Sequence, residues 1–251
     1  MAMKVVDISK HNGTVAWAAL KSAGITGVII RAGYGNVIDP LWTTNYAGAV
    51  KNGFKVGVYW FAYPLSAAGA QAEADTCWGA IGGKQLDLGV YYDYEYDSTD
   101  YLKRKGIKET KQLVTDMMKA FIERMKTHGV TCGIYVNRDY IQNHMYYNEL
   151  KQYPLWQAAW VTNGYTSYDV VTQGQKPSTY KIVCWQFGKG YLGGKVFDLN
   201  YYYGEVDSGE DNKDYASLVC AKAGLEDQTR EYLDNYKWAK YLWEKLWKAM
   251  Q

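Results

Sequence analysis

"LGVYYDYEYD", residues 88–97, starts as an apolar and aromatic run and ends with three acidic residues at alternate positions. A run of this kind is typical of a strand that is covered on both faces, as in a parallel sheet. Because side chains two residues apart on a strand share a face, we expect Asp93 and Glu95 to point the same way. Two carboxyl groups held together repel each other, which raises the pKa of at least one of them. The stretch therefore predicts a buried strand that ends in acid–base chemistry.

Seven further strand-like runs accompany this one, and most of them alternate with helical segments. The eight strands are predicted at 4–9, 27–33, 55–63, 88–96, 131–137, 155–161, 181–188 and 195–203. Helices are predicted between the first six strands, at 14–23, 41–52, 66–81, 107–128 and 138–152. The alternation indicates βα units, and the Gly-rich segment between Gln186 and Phe197 predicts a final hairpin. The predicted fold class is α/β, a single β/α barrel of the five-helix, eight-strand incomplete TIM type.

The character of the sequence changes near residue 204, where the segment 204–214 is polar and rich in turn-forming residues. Three short helices are predicted after it. The last helix carries an apolar stripe at helical spacing, formed by Ala239, Leu242, Trp243, Leu246 and Met250. We therefore predict a barrel over 1–206 and a C-terminal helical appendage over 207–251. The stripe packs against the barrel or against neighbouring helices, or it forms a homodimer through these helices, and the sequence leaves these alternatives open.

Composition excludes several classes of protein. Hydrophobic residues make up 48% of the 251 residues, which argues against disorder, and a net charge of +2 with dispersed acids and bases argues against nucleic-acid binding. No apolar run approaches the ~20 residues needed to cross a bilayer, so no membrane insertion is expected. The four scattered cysteines are expected to be reduced, since none has zinc-ligand spacing. The 25 tyrosines and 10 tryptophans offer flat faces that suit stacking against sugar rings.

Two further acids, Asp7 and Asp198, lie on the first and the last predicted strands. Because β/α barrels build their active sites at the carboxyl ends of the strands, we expect these two acids, Asp93 and Glu95 to converge at one mouth. A single strand-end Asp usually caps a turn, but four acids in comparable positions favour a functional site. Carboxylates also suit Mg²⁺ or Ca²⁺, which leaves a cation site as an alternative. The tyrosines around the acids favour a sugar cleft.

Eight blocks of the sequence resemble, in order, the successive blocks of glycoside hydrolase family 25, the Chalaropsis-type lysozymes. They are "DISKHNG" (7–13), "IIRAGYG" (29–35), "VYWFAYP" (58–64), "YYDYEY" (91–96), "CGIYVN" (132–137), "LWQAAW" (155–160), "CWQF" (184–187) and "FDLN" (197–200). The resemblance spans about residues 4 to 203. It implies a barrel of five helices and eight strands, and cleavage of the β-1,4 bond between N-acetylmuramic acid and N-acetylglucosamine in peptidoglycan.

The resemblance also implies roles for individual residues. Glu95 matches the general acid, and Asp93 matches the second carboxylate of the D-x-E motif, which would orient the acetamido group of the substrate in a retaining, substrate-assisted reaction. Asp7 and Asp198 match the two other acids, which would set the charge state of the pair or hold substrate. The residues expected to bind substrate are Tyr63, Tyr135, Trp160, Trp185, Gln186 and Arg31. For each aromatic residue, a place in the barrel core is the alternative.

Rival functions remain at this stage. A chitinase-like hydrolase also places D-x-E after its fourth strand, but here Leu88 and Tyr91 stand where its two upstream aspartates would be. A barrel that binds glycans without cutting them usually lacks the acid, whereas Glu95 is present. We expect no cofactor and no metal, and peptidoglycan glycan strands as the partner. No signal peptide is visible, so we expect action on the cell wall after holin-type release from a host cytoplasm, or after secretion of a longer, trimmed chain.

Overall fold

Eight strands close into a barrel in the computed structural model, which describes residues 2–204, 215–236 and 239–250. In chain order the strands are β1 (Met3–Ile8), β2 (Gly27–Tyr34), β3 (Val37–Ile38), β4 (Lys55–Phe61), β5 (Val90–Asp93), β6 (Cys132–Asn137), β7 (Leu155–Ala158), β8 (Cys184–Leu192) and β9 (Lys195–Tyr202). Neighbours pair in parallel from β1 through β2, β4, β5, β6 and β7 to β8. Strand β9 closes the ring antiparallel to both β8 and β1, and β3 only extends β2. The predicted α/β barrel is thus confirmed.

The final hairpin is also present. Strands β8 and β9 pair antiparallel and are joined at Gly193 and Gly194. Both glycines have positive φ, 57° and 80°, which is the conformation that two-residue hairpin turns require. The Gly-rich stretch between these strands therefore makes the chain reverse direction without a crossover helix.

Five α-helices of the barrel unit connect its strands. They are α1 (Trp17–Ser22), α2 (Trp42–Lys51), α3 (Ala67–Ile81), α4 (Tyr96–Arg104) and α5 (Lys111–Thr127). Local side chains set their ends. The Ser66 hydroxyl accepts a hydrogen bond from Gly69 N at the start of α3, which ends at Gly82 in the left-handed conformation. The Thr110 hydroxyl caps α5 in the same way, at 3.1 Å from Leu113 N.

The prediction of a helix over 138–152 is wrong. This segment forms a π-helical turn, Tyr140–His144, followed by a 3-10 turn, Tyr147–Glu149. Between the two turns the backbone N–H of Tyr146 donates to the hydroxyl of Thr115 at 2.9 Å instead of to a carbonyl of its own segment. Side-chain partners of this kind compete with the helical hydrogen-bond ladder, so a continuous α-helix does not form.

Helix α4 was not predicted, because the fourth strand was expected to continue to residue 96. Strand β5 instead ends at Asp93, and the helix begins at Tyr96. The Ser98 hydroxyl accepts a hydrogen bond from Glu95 N at 3.1 Å, which satisfies a backbone donor just before the first turn. A local cap therefore ends the strand earlier than its aromatic pattern indicates.

Alternation along the strands separates the barrel interior from the outer layer. Val5 belongs to the interior cluster, whereas the next residue, Val6, packs in the larger cluster between the strands and the helices. Asp7 follows Val5 on the inner face of β1, and Asp93 follows the interior residue Tyr91 on β5 in the same way. Two of the predicted acids therefore point into the barrel, one layer above an apolar and aromatic floor.

The chain divides into two units, 1–206 and 207–251. The described part of the second unit contains three helices, α6 (Tyr215–Ala223), α7 (Asp227–Asp234) and α8 (Ala239–Ala249). They share a small apolar cluster in which Ala216 and Val219 of α6 bury Trp243 of α8, so the stripe of α8 packs on its own neighbours. Nearly all of the predicted boundary loop, 204–214, lies outside the described residues. The homodimer stays a prediction.

No helix in the described part of the chain is long and apolar enough to span a bilayer.

The close approach of β6 to the strand start at Pro154 gives a first prediction. A Cβ on Gly133 would collide with the backbone carbonyl of Pro154 and lie 2.9 Å from its Cβ. Gly133→Ala should therefore lower the free energy of unfolding by about 1–3 kcal/mol, because the backbone has to shift. Gly79→Ala is the matched control, since a Cβ there meets nothing within 4 Å and α3 gains helix propensity of up to about 1 kcal/mol. Urea unfolding measures both, and equal stability of the two variants would contradict the packing described.

Candidate active site

A cavity of about 440 Å³ opens at the carboxyl ends of the parallel strands. All four predicted acids line it, and so do Arg31, Tyr135, Trp160 and Gln186 of the predicted binding residues. Asp7 lies directly opposite Asp198 in the antiparallel β1–β9 pair. The structure therefore brings eight of the ten predicted site residues to one cavity.

Glu95 reaches this cavity on the face that alternation predicts. Strand β5 ends at Asp93, and Glu95 is the residue before helix α4, but its backbone is still extended. Asp93 and Glu95 both line the cavity, whereas Tyr92 and Tyr94 pack in the outer layer. The predicted placement of the two carboxyl groups on one side is therefore confirmed, although the strand itself is shorter than predicted.

Asp93 is buried without a full set of partners. Its side chain is 5% exposed, and its Oδ1 has no hydrogen-bond partner among the described residues. Burial raises the pKa of Asp93 well above the usual range, and the charges of Glu95 and Asp7 raise it further, against the opposing effect of Arg31. An unpartnered buried carboxyl oxygen is costly in a finished structure, so it points to a polar group that is supplied by a ligand.

Glu95 and Asp198 also have raised pKa values. Burial is the main cause of the raised pKa of Glu95, the Tyr135 hydroxyl opposes it, and the charge of Asp7 adds to it. Burial, followed by the charges of Asp7 and Glu95, raises the pKa of Asp198 to about 8, against a lowering by Lys189. A carboxyl group that keeps its proton near neutral pH can act as a general acid.

Asp7 differs from the other three acids because two amide groups hold it. Its Oδ2 accepts hydrogen bonds from Gln186 Nε2 at 3.0 Å and from Asn200 Nδ2 at 2.8 Å. Indole N–H groups fix both amides, because Trp160 donates to Gln186 Oε1 and Trp156 donates to Asn200 Oδ1, each at 2.8 Å. An indole can only donate, so each amide has to turn its NH₂ group toward Asp7.

The two amides stabilise the ionised form of Asp7. Burial still raises its pKa, and the bonds from Asn200 and Gln186 lower it. Of the four acids, Asp7 is thus the one whose negative charge the protein itself solvates. That charge in turn helps to raise the pKa values of Asp93, Glu95 and Asp198.

The predicted aromatic residues divide into three groups. Tyr135 and Trp160 line the cavity, and Trp160 is half-exposed at its rim. Tyr63 lines a neighbouring cavity instead. The placement of Trp185 in the cleft is wrong: its side chain is buried in the outer layer, and its indole N–H donates to Ala159 O at 2.8 Å. Side chains alternate along β8, so an inward Gln186 requires an outward Trp185.

Several cavity residues were not singled out from the sequence. They include Tyr59 and Phe61 on β4 and Trp156 on β7. Asn200 on β9, which donates to Asp7 from behind the cavity wall, was also not singled out. Strand register is the signal that finds the first two, because Phe61 pairs with Asp93 and Tyr59 with Tyr91. For Asn200, the signal is an amide between apolar residues on a buried strand.

Metal binding finds no further support in this geometry. Within residues 2–204, 215–236 and 239–250, no group of three or more His, Cys, Asp or Glu side chains is placed to hold a metal ion. Independence from metal stays a prediction.

Comparisons with known proteins agree with the fold. The family model described as "Glycosyl hydrolases family 25" matches residues 6–194. The match confirms the resemblance drawn from the eight sequence blocks. The autolytic lysozyme of Clostridium acetobutylicum is 24% identical over 155 residues, which cover 61% of this chain and 44% of that protein. This chain therefore spans less than half the length of that curated relative.

Solved structures with the same barrel include a family 25 glycosyl hydrolase from Bacillus anthracis, at a TM-score of 0.62 and 21% identity over 82% of this chain and 91% of the other. The modular autolysin LytC from Streptococcus pneumoniae, solved in complex with a synthetic peptidoglycan ligand, has a TM-score of 0.65 and 23% identity over 80% of this chain and 47% of the other. At these identities the likeness shows the fold.

The amide network around Asp7 gives a second prediction. Asn200→Leu removes one donor to the carboxylate and leaves the indole N–H of Trp156 unpaired. The pKa of Asp7 should rise, because a hydrogen bond to the ionised form is lost, and the free energy of unfolding should fall by about 1–3 kcal/mol. NMR titration of the aspartate carboxyl groups and urea unfolding measure the two effects. Asn143→Leu is the control, since this exposed amide donates only to Asp139. An unchanged pKa of Asp7 in Asn200→Leu would refute the network.

Asp198 gives a third prediction, on stability against pH. Its folded pKa of about 8 lies above the ~3.9 of an unfolded Asp, so the folded state binds this proton more tightly. The resulting stability is fully present below about pH 4 and is lost as the pH rises toward 8. Asp198→Asn should therefore flatten the fall in unfolding free energy between pH 4 and 8 and make the variant more stable than wild type at pH 8. Asp169→Asn, on the surface, is the control. If the unfolding free energies of wild type and Asp198→Asn changed in parallel with pH, folding would not raise the pKa of Asp198.

Proposed function

We propose, since the chain belongs to glycosyl hydrolase family 25, that it is a lysozyme, an N-acetylmuramidase that hydrolyses the β-1,4 bond between N-acetylmuramic acid and N-acetylglucosamine in the bacterial cell wall. The observation that carries the proposal is the convergence of four carboxyl groups, two buried and two half-buried, in an aromatic-lined cavity, where burial and the charges of neighbouring acids raise the pKa values of three of them. Such a pairing of acids with unequal environments is the arrangement that glycoside hydrolysis uses.

Glu95 is the general acid of this reaction. It lies at the edge of the cavity, partly exposed, where the oxygen of a glycosidic bond can approach it. Its raised pKa favours the protonated form, which donates a proton to the leaving oxygen as the bond from that oxygen to the anomeric carbon breaks.

Asp93 assists through the substrate. The acetamido oxygen of the muramyl sugar forms a bond to the anomeric carbon while the leaving oxygen departs, and the acetamido N–H donates to Asp93, whose Oδ1 is unpartnered. The resulting oxazolinium ion is positively charged, and the carboxylate of Asp93 stabilises it. Water then attacks the anomeric carbon and gives its proton to Glu95, which restores the acetamido group and retains the configuration.

One proton serves both acids. The charge of Glu95 is the second cause of the raised pKa of Asp93, after burial. When Glu95 holds the proton, that repulsion is absent and Asp93 ionises more readily, as expected of a coupled pair. Two amides stabilise the ionised form of Asp7, and after burial the charge of Asp7 further raises the pKa of Glu95.

Wall lysis gives the fourth prediction. Glu95→Gln should lower the rate on purified peptidoglycan about 10²–10⁴-fold, because the glycosidic oxygen loses its proton donor, and the fold should stay intact. Asp93→Asn should be nearly as damaging, because a carboxamide supplies no charge to the oxazolinium ion. Glu123→Gln is the control, since this surface acid pairs only with Lys126 and Tyr153. Turbidity of the wall suspension gives the rates.

Mass spectra of the digested walls separate the rival functions. Muramic acid at the new reducing ends supports the proposal, whereas glucosamine at these ends assigns a different bond. Cleavage of chitin in preference to peptidoglycan would favour the chitinase-like alternative. Wild-type protein that binds walls without releasing any fragment would be a glycan-binding barrel. Near wild-type rates for Glu95→Gln would remove that residue from its role.

A further inference from the structure

A second cavity, of about 350 Å³, adjoins the first and shares His11, Arg31 and Phe61 with it. Its remaining walls are Lys10, Tyr34, Tyr63 and Asp97. The two cavities differ in charge, since the first is lined by four carboxyl groups and Arg31, whereas the second is lined by two cations and one carboxyl group. A ligand that extends from one cavity into the other therefore meets a change in charge along its length.

Arg31 carries a donor that the protein does not use. Its side chain is almost fully buried, and Nε donates to Asp39 Oδ2 at 2.8 Å, but Nη2 has no hydrogen-bond partner among the described residues. Asp39 also accepts from Lys10 N and from Leu41 N, so it is already occupied. A buried guanidinium group with unpaired N–H donors indicates an acceptor from outside the chain.

Lys10 is the second cation of this cavity, and it has no counter-ion among the described residues. Its ammonium group lies 3.4 Å from the hydroxyl of Tyr34 and 5.0 Å from the centre of that ring, and it forms no ion pair within the described part of the chain. The guanidinium carbon of Arg31 lies 5.2 Å from the centre of the same ring. Tyr63 packs edge-on against Tyr34, which holds this wall in place. One aromatic wall thus carries two cations. Arg31 is paired with Asp39 but keeps a free Nη2 donor, and Lys10 has no ion pair within the described part of the chain.

We propose that this second cavity binds a carboxylate on the sugar next to the cleaved bond, through Lys10 Nζ and Arg31 Nη2. The inference rests on the proposed function and deepens it. Muramic acid differs from glucosamine by a lactyl ether, which ends in a free carboxylate or continues into a stem peptide with carboxylates of its own. Both sources share the chemistry that a guanidinium and an ammonium group recognise.

The charge separation between the cavities gives this contact a consequence. The negative charge on the ionised acids of the first cavity repels an anionic substituent, and the cations of the second cavity attract it, so a glycan strand is favoured in one direction. The sugar that carries the lactyl group is then placed on the side of the second cavity. Lys10 and Arg31 would thereby select which of the two alternating bonds of the strand reaches Glu95.

Lys10→Met tests the proposal, because it keeps an unbranched apolar stem of nearly the same length and removes the ammonium group. Three strands serve as substrates: strands with stem peptides, strands from which an amidase has removed the peptides, and peptide-free strands whose lactyl carboxylates have been converted to methylamides. On a strand that supplies the carboxylate, KM should rise about five- to tenfold with kcat within about twofold, since the contact is partly exposed and acts in binding. On the neutralised strands the rise in KM should shrink to about twofold or less.

Two further variants complete the test. Lys10→Glu should deepen the loss on charged strands, because attraction becomes repulsion, and Lys51→Met, an exposed lysine outside both cavities, controls for the loss of one positive charge. A rise in KM on the peptide-bearing strands alone assigns the contact to the stem peptide. A rise on the peptide-free strands with free lactyl carboxylates alone assigns it to the lactyl group. An equal rise on all three strands, or no rise on any, would overturn the inference. If wild-type protein cleaves none of the three, the proposed function itself fails, and this inference fails with it.

Discussion

Closure of the barrel by β1 is the constraint on which the rest of the site depends. This strand pairs in parallel with β2 and antiparallel with β9, so its register is fixed from both sides. A slip of one residue would turn Asp7 into the outer apolar layer and break its place opposite Asp198. The parallel ring places Asp93 at the same end of the barrel, because every parallel strand ends at that mouth. The position of the acids therefore follows from pairing between strands that are far apart in sequence.

Burial of several carboxyl groups is unfavourable, and the protein offsets it for only one of them. Asp7 receives two amide donors, whose direction is fixed by the indoles of Trp156 and Trp160. Asp93 keeps an oxygen without a partner. Burial first, and then the charges of neighbouring acids, raise the pKa values of the other three, which favours their protonated forms. The aromatic residues of the cavity thus act on its electrostatics through donor-only N–H groups as well as through their flat faces.

The sequence predicts those parts of the site that depend on periodicity. Alternation and the rule of strand ends place Asp7 and Asp93 correctly, and the Gly-rich hairpin gives the antiparallel β9 that carries Asp198. Features set by local caps or by side-chain competition are missed. The Ser98 cap helps to start helix α4 directly after Glu95, and Thr115 helps to prevent the predicted helix over 138–152.

Trp185 shows a third limit of prediction. Which face of a strand points inward depends on its register with its neighbours, and an isolated aromatic run does not reveal that register. The inward side chain of β8 at this level is Gln186, whose amide can bond to Asp7, whereas the tryptophan packs outside. Asn200 was missed for the same reason, because its value comes from contacts with Asp7 and Trp156, which are distant in sequence.

The repulsion among the acids also bears on which substrate the barrel accepts. An anionic substituent that enters the first cavity meets Asp7 and its neighbours, and Arg31 is the one Lys or Arg among the described residues that line it. The same Arg31 faces the second cavity, where Lys10 adds a charge without a counter-ion. Acid–base chemistry and strand orientation are then linked, since the charge of Asp7, which after burial raises the pKa of Glu95, also drives a carboxylate toward the cations beside it.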